Sequence, residues 1–130
     1  MKTLLPQGWS RPRGYSNGIL AKGQTIFVAG QIAWDEKNRL VSEDFVEQVK
    51  QCLINIVRVL AEGGAPPETL TRLTWYVTNK TPYLARQPEI GAAYREVIGE
   101  HYPAMTLVQV ADLLEEGALV EIEATAVLPW

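Results

Sequence analysis

Along this 130-residue chain, apolar and polar positions alternate at strand spacing or recur at helical spacing in a sequence of short blocks. The clearest alternation lies near the C-terminus. There Val120, Ile122, Ala124 and Ala126 share one face of a strand, while Leu119, Glu121, Glu123 and Thr125 share the other. A strand opened by Tyr102-Pro103-Ala104-Met105 precedes it, and Leu113 to Gly117 separate the two. At the other end, residues 15–22 read as a short strand, Gly23-Gln24 as a turn and residues 25–32 as a longer β-branched strand, which predicts an opening hairpin.

Two helical patterns lie between these strands. Val46, Val49, Leu53, Ile56, Val57 and Leu60 recur at spacings of three and four. Ser42 before Glu43 and Asp44 predicts the N-cap, and Gly63-Gly64 with Pro66-Pro67 predicts the end. The second pattern spans residues 82–98 and places Leu84, Ile90, Ala93, Tyr94 and Val97 on one stripe. Pro88 lies inside it, so this helix either kinks or begins near Gln87. Residues 70–78 form a strand between the helices.

The order is therefore β-β-α-β-α-β-β. The length suits one domain over residues 1–130, an α+β fold with a single mixed sheet and two helices on one face. Several strands carry apolar side chains on both faces, among them Phe27 opposite Val28 and Tyr76 opposite Trp75. The sheet face away from the helices is then too apolar to stay wet, which predicts oligomerisation through it.

Composition narrows the chemistry. Twelve basic residues against fifteen acidic ones, with no basic run, count against nucleic acid as a partner. No segment has the length of a signal peptide or a membrane span, so a cytoplasmic location without membrane contact is expected. One histidine, His101, and one cysteine, Cys52, make neither a zinc set nor a nucleophile–histidine pair, so neither a metal nor another cofactor is expected. Cys52 reads as buried packing and His101 as a helix cap or surface residue. Trp9, Trp34, Trp75 and Trp130 read as core or interface packing. What remains is carboxylate or backbone chemistry on a small polar substrate, with Glu121 as the candidate base and Glu123 as a structural residue.

Gly14-Tyr15-Ser16-Asn17, Phe27-Val28-Ala29-Gly30-Gln31-Ile32, Tyr102-Pro103-Ala104 and Val120-Glu121-Ile122-Glu123-Ala124 occur in that order. In these segments the chain resembles the reactive intermediate deaminase (Rid, YjgF-type) family over essentially its whole length. The resemblance implies a chorismate-mutase-like fold assembled as a homotrimer, with small-molecule clefts between subunits. It also implies hydrolysis of short-lived enamines or imines to a carbonyl compound and ammonia. By motif position Glu121 matches the catalytic glutamate and Tyr15 the tyrosine lining the cleft. Gly30 matches the glycine whose backbone borders the ligand, and Gln31 the residue that follows it.

The chain departs from the pattern at three positions. Met105 stands where catalytic members carry the arginine that clamps the substrate carboxylate. Leu107 replaces a small thiol or hydroxyl, and Gly91 an asparagine. An arginine fork offers two charge-assisted hydrogen bonds and methionine none, a loss on the order of several kcal/mol of binding in a desolvated site. Two compensations are open: Arg13, with Arg11 behind it, as a substitute cation, or a longer, less charged substrate of the aminomuconate type against an apolar wall of Met105 and Leu107. The resemblance thus implies a diverged hydrolase, with a non-catalytic small-ligand or protein-binding trimer of the same fold as the rival. An endoribonuclease suits an acidic chain with one histidine poorly.

Overall fold

The computed structural model describes residues 1–130. Helix α1 (Phe45–Glu62) forms where the three–four spacing predicts, and Val49, Cys52, Leu53, Ile56 and Leu60 are fully buried along its inner stripe. Its cap is Asp44 rather than Ser42. The Asp44 carboxylate accepts from the Glu47 N–H at 3.0 Å, while the Ser42 hydroxyl accepts from the Asp44 N–H at 2.9 Å, so the serine orders the cap one step upstream. Gly63 closes the helix by donating to the Leu60 carbonyl, and the chain turns at Gly64 with φ of 73°.

One four-stranded sheet carries the domain, in the order β3 (Gln24–Gln31), β6 (Val120–Leu128), β4 (Leu70–Val77), β5 (Ala104–Gln109). Strand β6 runs antiparallel to both neighbours, and β4 and β5 are parallel, joined by a helical crossover. Because β6 lies between β3 and β4, the β3–α1–β4 unit is a split β-α-β. The alternation read from the sequence holds residue by residue. Val120, Ile122, Ala124 and Ala126 are buried under the helices, and Glu121, Glu123 and Thr125 lie on the uncovered face. This is the expected α+β, chorismate-mutase-like arrangement. No helix is long and apolar enough to cross a membrane.

The opening hairpin does not form. Residues Gly18–Leu20 (β2) pair instead with Lys2–Leu4 (β1) in a separate two-stranded ribbon, so the β structure is not a single sheet. Gly23 explains the difference. Its φ is 148°, and a Cβ there would sit 1.8 Å from the Leu128 carbonyl oxygen, so this glycine admits the end of β6 rather than making a two-residue turn.

The second helical stretch is two helices, α2 (Thr81–Ala85) and α3 (Gln87–Val97), each with a proline in its first turn. Ile90, Ala93 and Tyr94 are buried as expected, but Leu84, carried on the separate α2, is 60% exposed. Trp9 and Trp130 are also exposed, and Trp75 alone among the tryptophans is fully buried.

Arg86, at the break between α2 and α3, ties the helices together. It donates to Asp44 at 2.6 Å and to Glu89 at 2.7 Å. The guanidinium holds both carboxyls below their ordinary pKa values. A carboxyl with a depressed folded-state pKa stabilises the fold above its unfolded pKa and loses that contribution as pH falls through the folded value. Arg86→Met is therefore expected to lower the urea midpoint at pH 7. The deficit should start to shrink as pH drops below about 4; an equal deficit at pH 7 and pH 3 would assign the loss to packing instead.

A buried polar residue fixes the approach to β6. Gln48 of α1 has no exposed surface; its amide donates to the Ser42 and Gly117 carbonyls at 2.9 and 3.0 Å and accepts from the Leu119 N–H at 2.8 Å. This side chain pins the loop that delivers Glu121.

Candidate functional site

Glu121 stands on the uncovered sheet face against a bulge in β3. The β3–β6 register slips between Val28 and Gln31, and Gly30 lies in the slip. A Cβ at Gly30 would fall 2.3 Å from the Glu121 Oε2, so any other residue there would push the carboxylate from its place against the strand. Across the sheet, Tyr76 is opposite Glu121 but donates its hydroxyl to Glu123 at 2.7 Å, a bond that raises the Tyr76 pKa. Glu123 is thus a structural acceptor. The Glu121 carboxylate takes no part in the side-chain hydrogen bonds or ion pairs of the chain. Near this pair the face also presents Phe27, 79% exposed, beside Arg72 and Thr125. Gln31 ends the bulge and folds back to donate to the Ala29 carbonyl at 3.1 Å.

A cleft of about 240 Å³ opens on the helix side, between α3 and β5. It gathers Met105, Gly91 and Arg13 from distant parts of the chain, together with Trp75, Tyr83 and Tyr94. Parallel pairing of β4 with β5 sets Leu73 beside Met105 and Trp75 beside Leu107, and both β5 side chains pack on the core. Aromatic contacts stiffen the walls: Tyr94 stacks on Tyr102 at 5.5 Å, and Trp75 meets Tyr83 edge-on at 5.9 Å. The charged residues of the lining are Arg13 and Arg95, both exposed and both without an ion pair. A Cβ at Gly91 would lie 3.2 Å from Arg95 Nη1, close enough that the guanidinium would have to give by a few tenths of an ångström. Trp75 is 2% exposed, and its Nε1–H is buried without an acceptor, a cost of about 1–3 kcal/mol.

Tyr15 lines a neighbouring depression with Arg11 and His101. The segment between them is held to the start of β5 by Ser16, whose N–H donates to the Pro103 carbonyl at 3.0 Å. Arg13 and Tyr15 therefore fall on adjoining concavities. His101 does not cap α3. Its Nε2 is 2.7 Å from the Leu70 carbonyl, and since a carbonyl only accepts, Nε2 carries the proton. Cys52 is buried, and burial, with the Glu121 charge as a smaller cause, pushes its thiol pKa up and away from nucleophilic use.

Within one chain the sequence-predicted residues thus occupy three places: Arg13, Gly91 and Met105 in the cleft, Tyr15 in the depression beside it, and Gly30, Gln31 and Glu121 at the β3 bulge; Leu107, expected to wall the substrate, packs on the core and does not line the cleft. Sequence reasoning missed Trp75 and Arg95. A signal for Arg95 was available, because Gly91 lies one helical turn before it, and a residue without a side chain at that spacing leaves the helix surface free for the longer neighbour.

The family model described as Endoribonuclease L-PSP matches residues 10–128. The chain belongs to the Rid (YjgF-type) family. A RutC family protein of Pyrococcus abyssi is 35% identical over 117 residues, which are 89% of this Rid chain and 88% of the relative. A 2-iminobutanoate/2-iminopropanoate deaminase of Capra hircus is 32% identical over 114 residues, covering 87% of this chain and 79% of the relative. Among solved structures, the Rid-family protein YyfB of Yersinia pestis superposes with a TM-score of 0.86 at 32% identity over 98% of both chains. RidA from an Antarctic Psychrobacter superposes with a TM-score of 0.69 at 26% identity, over 98% of this chain and 100% of the other. Relatives of this Rid chain thus include imine deaminases, which supports an imine-deaminase-like activity.

Proposed function

We propose that this Rid-family chain is a diverged enamine/imine deaminase, built as a homotrimer in which the Gly30–Glu121 pair of one subunit faces the Met105–Gly91 cleft of the next. The observation that carries the reading is the unpartnered Glu121 carboxylate lying against the Gly30 backbone on a face that leaves Phe27 bare. A carboxylate with free lone pairs beside a backbone edge is placed to orient and deprotonate a water. As that oxygen bonds the imine carbon, the water's proton passes to Glu121. That proton passes on to the imine nitrogen, which has taken the C=N π pair, giving a carbinolamine; Glu121 then carries the hydroxyl proton to the same nitrogen as the C–N bond breaks and the C=O bond forms, leaving a carbonyl compound and ammonia.

Substrate choice follows from the cleft. With Met105 in place of a cation and Leu107 packed behind it, the wall beneath the ligand is apolar and adaptable, which favours a longer conjugated enamine of the aminomuconate type over a short 2-imino acid. Tyr15 and Arg13 border the same region, Tyr15 as a cover and Arg13 as a cation for an anionic group. RNA cleavage is disfavoured, because the single histidine holds its Nε2 proton on the Leu70 carbonyl.

The test is direct. The protein is mixed with 2-iminobutanoate, generated in situ by an amino-acid oxidase, or with an aminomuconate-type diene, and ammonia release is compared with buffer. Acceleration is expected, larger for the diene, from a particle of three times the 14.5 kDa chain mass in light scattering. A trimer that accelerates neither substrate would make the protein a binder. A monomer would leave Glu121 without a cleft to serve.

A further inference from the structure

We infer that Glu123 is a positioning residue for the reaction at Glu121: by accepting the Tyr76 hydroxyl it keeps that donor off the neighbouring carboxylate and leaves Glu121 open to water. The inference rests on the deaminase reading in taking Glu121 as the base, and it explains why that base has no partner.

Strand register sets up the conflict. Because β6 lies between β3 and β4, Glu121 has a neighbour on each side. Toward β3 its carboxylate lies against Gly30, which has no side chain to offer. Toward β4 its cross-strand partner is Tyr76, and side chains directly opposite on one sheet face have Cβ atoms about 4.5–5.5 Å apart. On its other flank Tyr76 is paired with Val108 of β5, whose side chain accepts no hydrogen bond. The hydroxyl therefore has two carboxylates near it, one directly across and one two residues farther along the same face of β6. It goes to the farther one, donating to Glu123 Oε1 at 2.7 Å. The pairing is exclusive, since the Glu123 carboxylate makes no other side-chain hydrogen bond and no ion pair, although Arg72 lines the same depression.

The choice of acceptor has a chemical consequence. The bond to Glu123, with burial and the charges of Glu123 and Glu121 as smaller causes, raises the Tyr76 pKa, so the hydroxyl keeps its proton at neutral pH and stays a donor. A hydroxyl bonded to a carboxylate is a charge-assisted pair, stronger than a neutral one. Made to Glu121, that bond would occupy a lone pair and stabilise the anion, leaving a weaker base toward water. Made to Glu123, it leaves the Glu121 oxygens free beside Gly30.

The test reads the position of the hydroxyl separately from turnover. Protein labelled with ¹³C at tyrosine Cζ gives five signals, with Tyr76 assigned through Tyr76→Phe, and the Cζ shift at pH 7 follows the acceptor of the hydroxyl. In Glu123→Ala the Tyr76 signal is expected to keep a carboxylate-bonded position, now on Glu121. Only Glu121→Ala combined with Glu123→Ala should move it to that of a water-bonded phenol. On the preferred enamine, Glu123→Ala should slow ammonia release at least tenfold, and adding Tyr76→Phe should restore at least fivefold of it. Glu123→Gln, which still offers the hydroxyl an oxygen, should lose less than Glu123→Ala. A Glu123 that served packing alone would not be rescued by removing a second group. A water-bonded Tyr76 in Glu123→Ala, undiminished turnover in that variant, or no rescue by Tyr76→Phe would each overturn the inference. Failure of the deaminase reading looks different: the wild-type protein would release no ammonia from any enamine while the Tyr76 signal still followed Glu121 in Glu123→Ala. That result would keep Glu123 as the residue that leaves Glu121 open and discard the reaction alone.

Discussion

Glu121→Gln should slow ammonia release from the preferred enamine by about 10²- to 10⁴-fold, the range that a positioned general base contributes. Glutamine keeps the shape of the side chain and the contact with Gly30, but its amide cannot take a proton from water. Since the carboxylate forms no hydrogen bond or ion pair inside the chain, the fold should lose little, within about 0.5 kcal/mol. The combination of lost turnover and unchanged melting is the signature. Turnover of the variant within twofold of wild type, measured on the same enamine, would remove Glu121 from the chemistry and leave its place beside Gly30 a matter of packing.

Gln48→Leu should cost about 3–5 kcal/mol of folding stability, a large share of the ~5–15 kcal/mol available to a domain of this size. Leucine is close in volume, so the loss does not come from a cavity. It comes from three backbone groups: the Leu119 N–H and the carbonyls of Ser42 and Gly117 lose their partner inside a fully buried site. Urea denaturation of the variant measures it directly, and a loss below about 1 kcal/mol would mean that water or a shifted loop replaces the amide. The position also bears on the site. Leu119 is two residues before Glu121, so loosening the loop should blur the carboxylate's placement before the domain unfolds.

Much of the architecture was legible because burial in this fold is periodic. The α1 stripe and the strict alternation of β6 follow from spacing alone, and spacing also puts Glu121 and Glu123 on the face away from the helices. Where prediction failed, a residue answered to a distant partner. Gly23 reads locally as a turn but makes room for Leu128, and Lys2–Leu4 has no pattern of its own until Gly18–Leu20 lies beside it. Leu84 fits the stripe only if the helix is continuous, and the prolines at 82 and 88 divide it.

The site was legible through motifs rather than spacing. Glu121, Gly30, Met105 and Gly91 are candidates by the company they keep in sequence, and the first two lie against each other in the fold. Motifs could not reveal Trp75, whose buried N–H is a property of its surroundings. Nor could they show that the residues divide between the two faces of the sheet, which depends on the register of β3 against β6 and of β4 against β5.

The strand that joins the two halves of the sheet, β6, is the last element of the chain. During synthesis β3 and β4 emerge well before their common neighbour exists, so neither half can be sealed until β6 itself has been made. Assembly is then a late, all-or-none closure governed by contacts far apart in sequence, which slows it and exposes the waiting strands to chance pairings. Ribosome-bound chains stopped before residue 120 should remain sensitive to protease throughout the sheet, whatever their length.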